Sequence, residues 1–126
     1  MEQERLKFAK THEWIEPEGQ RRKVGVSDFA QQELGDVVFV EFPAAGKRVG
    51  AGEEACLIES AKATSPIYAP LAGTLTAFNS ELVASPDRIN QSPYDQGWLF
   101  EIEVDEGSDE SGLMDYRTYE AATGAQ

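Results

Sequence analysis

A chain of 126 residues, 40% hydrophobic and 27% charged, fits one globular domain around one core and leaves little room for a separate catalytic domain. Its 23 acidic against 11 basic residues give a formal net charge of -12, which disfavours nucleic acid and anionic membrane surfaces and suits a protein partner with a basic face, or solubility alone. The single cysteine, Cys56, excludes an internal disulfide, and no apolar run approaches the roughly 20 residues that span a bilayer. The opening Met-Glu-Gln-Glu-Arg-Leu-Lys has neither the apolar core of a secretory signal nor the acid-poor composition of a transit peptide. The expected compartment is the cytoplasm; a matrix protein already stripped of its presequence gives the same pattern.

In chain order, the polar stretch from Phe8 to Val26 carries apolar points at Trp14, Ile15, Val24 and Val26, and Glu16-Pro17-Glu18-Gly19 predicts the turn of a hairpin. Ser27 is placed to N-cap a short helix, Asp28 suits its positive end, and Gly35 supplies a stop. Ala30 and Leu34 share one face of that helix. The β-branched and aromatic run from Val37 to Phe42 predicts a strand ending at Pro43, followed by a turn-rich segment from Pro43 to Gly52.

A second strand is expected over Cys56 to Ser60, with Cys56 and Ile58 on one face and Leu57 and Glu59 on the other. The small residues of Ser60-Ala61-Lys62-Ala63 then interrupt the apolar pattern, which resumes at Ile67, Tyr68, Pro70 and Leu71, and again as a strand from Thr74 to Phe78. Asn79 is a candidate cap for a short helix through Val83, and Ser85-Pro86 for another with proline at its first position. Trp98 to Val104 predicts a strand with Phe100, Ile102 and Val104 opposite Leu99, Glu101 and Glu103. The tail from Ser108 onward, with early acids and Leu113, Tyr116 and Tyr119 at three-residue steps, predicts a terminal helix. Many short strands separated by glycine and proline define the fold class as mainly β, a sandwich or barrel with short helices, in a single domain over 1–126.

The segment from Gly46 to Gly73 sets one lysine, Lys62, between two strand-like arms and beside alanines, where a modifying enzyme meets no bulky neighbour. It resembles the biotinyl and lipoyl attachment domains, in which a lysine at a hairpin tip is acylated by a cofactor. Biotin carriers typically flank that lysine with methionines; Ala61 and Ala63 favour lipoyl. Glu59-Ser60-x-Lys62-Ala63 resembles the attachment site of the H-protein family of the glycine cleavage system. So, in the expected order, do Thr11-His12-Glu13-Trp14, Gly25-Val26-Ser27-Asp28-Phe29-Ala30-Gln31, Leu34-Gly35-Asp36-Val37-Val38-Phe39-Val40-Glu41, and Pro93-Tyr94 with Gly97-Trp98-Leu99.

The resemblance implies a barrel-sandwich hybrid and a non-catalytic, monomeric shuttle carrying lipoic acid as an amide on Lys62. Glu13, Glu59 and Ser65 are then candidates for the environment of the arm. The implied partners are a lipoylating ligase or transferase, glycine decarboxylase, a tetrahydrofolate-dependent aminomethyltransferase and dihydrolipoyl dehydrogenase, with an aminomethyl group as cargo. One position departs from the pattern: H proteins usually carry an acid directly after the serine that follows the lysine, and here Ser65 is followed by Pro66. That leaves open H-like lipoate-binding proteins serving heterodisulfide-reductase-like enzymes of sulfur oxidation.

Other chemistries have weaker support. Lys62 as an unmodified turn lysine is the ordinary alternative, with an unmodified scaffold as its functional form. A hydrolase or thiol enzyme built on Cys56 and His12 is the remaining alternative, but Cys56 shares a face with Ile58, and a lone histidine is more often structural. One cysteine and one histidine do not build a Cys/His metal site, and no phosphate-cradling glycine loop is present.

Overall fold

Short strands alternate with glycine- and proline-rich turns through the whole chain, as seen in a computed structural model that describes residues 2–123. The strands are β1 (Lys7–Phe8), β2 (Glu13–Ile15), β3 (Arg21–Val26), β4 (Val37–Glu41), β5 (Arg48–Val49), β6 (Glu54–Ser60), β7 (Thr64–Tyr68), β8 (Gly73–Phe78), β9 (Phe100–Val104) and β10 (Met114–Asp115). The helices are α1 (Asp28–Leu34), α2 (Glu81–Ala84), α3 (Arg88–Gln91) and α4 (Tyr116–Thr123). All strand pairings are antiparallel, in a seven-stranded sheet ordered β10-β1-β2-β3-β9-β8-β5 and a three-stranded sheet ordered β4-β6-β7.

The two sheets face each other because each alternates apolar and polar positions. Val24, Val26, Leu75, Phe100 and Ile102 of the large sheet and Val40, Cys56, Ile58 and Ile67 of the small one join a single core cluster. A second cluster of Leu6, Phe8, Trp14 and Tyr119 docks α4 onto the β1–β2 end. Phe8 stacks on Tyr119 at 4.6 Å, and buried Arg22 grips Glu110 with two guanidinium bonds of 3.0 and 3.1 Å, fastening the loop before α4.

The predicted hairpin around Glu16–Gly19, the α1 helix and the strands around Val37, Cys56 and Thr74 all form. The Ser27 hydroxyl accepts from the Ala30 N–H at 3.1 Å, and Gly35, at φ +76°, closes α1. Several boundaries differ from expectation. The turn-rich segment contains β5, paired to β8 through Arg48–Thr74 and Val49–Gly73, a match no local pattern announces. Asn79 lies one residue ahead of Ser80, the N-cap position of α2, and still caps the helix start, its Oδ1 accepting from the Glu81 N–H at 3.3 Å; it is buried, and its amide donates to the Gln96 and Trp98 carbonyls at 2.8 Å each.

Ser85-Pro86 lies in a turn ahead of α3, whose N-cap position is Asp87. Leu99 is fully buried in the core rather than sharing the face of Glu101 and Glu103, because it precedes β9 and donates to Val24 across the sheet. The terminal helix begins at Tyr116, with the Asp115 carboxylate accepting from the Thr118 N–H at 2.8 Å; the acids of 105–110 sit in the loop between β9 and β10. Leu113 lies outside that helix and packs on the main core instead. Met1 and residues 124–126 of the expected single domain lie outside the described residues.

Candidate functional site

The β6–β7 hairpin presents Ala61, Lys62 and Ala63 at its tip, all exposed. Ser60 shapes the turn: its backbone N–H and its hydroxyl both donate to the Ala63 carbonyl, at 2.8 and 3.1 Å, while the hydroxyl oxygen accepts from Ala63 N–H at 3.2 Å. The Ala61 N–H donates to the Asp36 carbonyl at 2.9 Å, tying the tip to the turn between α1 and β4. Lys62 is therefore an exposed side chain on a held backbone.

Gly35 lies beneath the Lys62 stem. A Cβ there would stand 3.2 Å from Lys62 Cε and 3.9 Å from Nζ, so the missing side chain leaves the stem a place to lie, and the positive φ of the helix stop already favours glycine. Asn90 secures this platform by donating to the Gly35 carbonyl at 2.8 Å and to Gln31 Oε1 at 3.0 Å, while its own Oδ1 accepts from the Val37 N–H at 2.9 Å. Sequence reasoning took Gly35 only as a helix stop and passed over Asn90. No local signal marks Asn90, because its partners lie more than 50 residues away.

The candidate arm residues occupy different places. Glu59, exposed, pairs in register with Thr64 at the end of the hairpin, and half-buried Ser65 pairs with Ile58 one step further along. Glu13 does not join them at the tip. It is 2% exposed, accepts from the Thr11 hydroxyl and, at 3.3 Å, from the Tyr68 N–H, which lies about 13 Å beyond Thr64 at roughly 3.3 Å per residue. Pro66 sits opposite Leu57 in β7, an edge strand, where a residue without an N–H is tolerated.

Burial raises the Glu13 carboxyl from 4.5 to about 7, against the lowering effect of its hydrogen bonds. The folded protein thus holds a proton that the unfolded chain has released between these values, so stability falls as pH rises from about 4.5 to about 7. The full loss reaches about 3 kcal/mol above that window. Glu13→Gln, whose amide oxygen still faces the Tyr68 N–H, should match the parent at pH 4.5 and exceed it in denaturant midpoint at pH 8. Parallel stability curves for the two proteins across this range would exclude a buried proton on Glu13.

The thiol-enzyme arrangement does not form. His12 is engaged through Nδ1 with the Tyr119 hydroxyl at 2.7 Å and stacks on Phe29 at 5.0 Å, while Cys56 is buried in the core, where desolvation pushes its thiol up, away from the nucleophilic form. Trp14 is core and donates to the Pro93 carbonyl at 2.9 Å; Trp98 packs at the rim under the Lys23 ammonium. Among the described residues no group of three or more metal-ligating side chains occurs, and no helix is long and apolar enough to cross a membrane.

Two antiparallel sheets with an exposed lysine held at a hairpin tip between alanines have the architecture of a carrier domain of the lipoyl-attachment class. The family model for the glycine cleavage H-protein matches residues 6–126, and the chain belongs to that family. It is 50% identical to the glycine cleavage system H protein of Deinococcus radiodurans over 115 residues, 91% of each chain. It is 47% identical to that of Idiomarina loihiensis over 118 residues, 93% of this chain and 92% of the relative. The crystal structure of the H protein from Mycobacterium marinum superposes with a TM-score of 0.84 at 31% identity, covering 96% of this chain and 98% of that one.

As a member of this family the chain is a non-catalytic carrier with covalently attached lipoate as its cofactor. The relatives named are all glycine cleavage proteins, which does not favour the sulfur-oxidation alternative left open by Pro66.

Proposed function

We propose that Lys62 is the attachment residue and that its arm serves glycine cleavage in the cytoplasm, with the whole chain acting as one monomeric domain. The observation that carries this is the tip itself: an exposed amine on a backbone clamped by Ser60, between alanines, with Gly35 below its stem. In acylation the neutral Lys62 amine attacks the carbonyl carbon of an activated lipoyl donor. A C–N bond forms, the bond to the leaving group breaks with its electron pair, and the amine proton passes to solvent. When bound, a lipoyl group supplies a disulfide that exchanges with thiols and carries a one-carbon cargo.

The chain's own residues hold and receive. Ser60 and the Ala61–Asp36 bond keep the tip from collapsing onto the sheet, so that the tethered arm meets successive enzymes at high effective concentration. Glu59 and Ser65 border the root of the arm. Glu13 of β2, its carboxyl raised by burial to about 7, is the acid that meets β7 further from the tip, at Tyr68: a cation entering its surroundings favours the ionised form and releases a proton. The partners are a lipoylating ligase or transferase, glycine decarboxylase, aminomethyltransferase and dihydrolipoyl dehydrogenase. Peptide mass spectrometry of the protein purified from its native host should find a lipoyl amide on Lys62. A bare Lys62 from cells that lipoylate other proteins would overturn the assignment and leave an unmodified scaffold.

A further inference from the structure

The exposed large hydrophobic side chains of the described residues are Val38, Phe39 and Val83, at 56%, 44% and 68% exposure, and they lie on two elements packed against each other, β4 and α2. The exposure of Val38 and Phe39 has a structural cause. The β4–β6 ladder pairs Val37 with Ser60 but Phe39 with Glu59, so a β-bulge falls at Val38. The bulge sends Val37 and Val40 into the core and turns both Val38 and Phe39 outward, where strict alternation would bury one of them. β4 is also an edge strand of the small sheet. An aromatic residue exposed at an edge is a hazard unless something covers it.

The surround of this patch is predominantly acidic. Asp36, Glu41, Glu59, Glu81 and Asp87 are all exposed, and segments 36–41, 57–61 and 81–87 contain no lysine or arginine. Arg88 reaches Glu81 at 3.5 Å and offsets one of these charges. An apolar centre with an acidic rim matches a partner whose face is apolar at its centre and basic around it. The patch adjoins Lys62: Phe39 is opposite Glu59, three residues before it, and Asp36 is bonded to Ala61. An enzyme working on the far end of a carried arm can dock an arm's length away. The enzyme that acylates Lys62 must bring Nζ itself into its active site and therefore has to cover the surface beside the hairpin.

We infer that the outward face of β4 and α2 is the docking surface for the enzyme that acylates Lys62, with Phe39 as its apolar anchor and the surrounding acids steering a basic face onto it. The inference rests on Lys62 being the acylated residue. The test uses the full chain with a purified lipoate ligase, ATP and lipoate, following the intact mass over time. Phe39→Ser should lower kcat/KM for the carrier about tenfold, the size of effect expected of an aromatic anchor. Val38→Ser and Val83→Ser should lower it less, and Glu41→Lys should lower it chiefly at low ionic strength. Thermal unfolding of each variant separates docking from folding, and the Val38 and Val83 variants keep the test decisive if Phe39→Ser is destabilised.

Parent-like rates in folded variants would overturn the proposal while leaving Lys62 as the attachment site. Absence of mass gain on the parent protein would instead remove the attachment reading, and the docking proposal with it. Unchanged acylation together with a loss of glycine decarboxylation by lipoylated variants would assign the face to a pathway enzyme and overturn the proposal. A parent dimer dispersed by Phe39→Ser would assign it to a second copy of this chain, with the same consequence.

Discussion

Lys62→Arg should fold as well as the parent, with a melting temperature within about 1 °C, and should accept no lipoyl group at all, so that reconstituted glycine cleavage falls to background. The reason lies in the amine rather than the charge. Arginine preserves the length and the positive end of the side chain, and its stem can lie over Gly35 as that of lysine does. Its guanidinium, however, stays protonated and offers no free electron pair to an activated acyl carbon. Lys62→Ala should behave alike, since the residue is exposed and the turn is held by Ser60 and Asp36 rather than by the lysine. Intact mass after incubation with ligase, ATP and lipoate reads the first expectation, and calorimetry the second. Unfolding of Lys62→Ala would count against an exposed attachment site, and mass gain in either variant would place the arm on another residue.

Gly73→Ala should cost about 3 kcal/mol and lower the melting temperature on the order of 10 °C. Gly73 pairs with Val49 on one side and Val104 on the other, in the middle of three hydrogen-bonded strands. A Cβ at this position would stand 2.2 Å from the Glu103 carbonyl oxygen and 3.0 Å from Ile102 Cγ1, so backbone must move, not the end of a flexible side chain. Gly112→Ala is the matched control: nothing lies within 4 Å of its added Cβ, and the change should stay within about 0.5 kcal/mol. Urea unfolding of the two variants beside the parent decides the point. Equal midpoints would mean that β8 and β9 yield enough to admit a methyl group.

Short-range information in the chain was enough for the elements whose rules are local. The α1 helix is legible because a serine cap, an acid at the first position and a glycine stop are physical requirements of a helix end. The β6–β7 hairpin is legible because two apolar arms flank a short run of small residues around one lysine. The main β character follows from alternation at Cys56–Ser60 and Thr74–Phe78. The terminal helix forms with Tyr116 and Tyr119 in it, but it starts later than the spacing suggests, because Leu113 continues the three-residue step yet serves a different cluster from Tyr119.

What the amino-acid sequence determined by itself was the mainly β character with a few short helices, the lysine between alanines and the family to which the chain belongs. Tertiary structure alone decided that β5 closes on β8, that Asn90 holds Gly35 and Val37 together, and that Glu13 is buried against Tyr68 with its proton held to about pH 7. It also decided that a bulge at Val38 turns Phe39 outward beside Lys62. Each of these is a relation between residues far apart in the chain, set by pairing register, burial and the need of every buried polar group for a partner. None of those terms has a value until the strands have met.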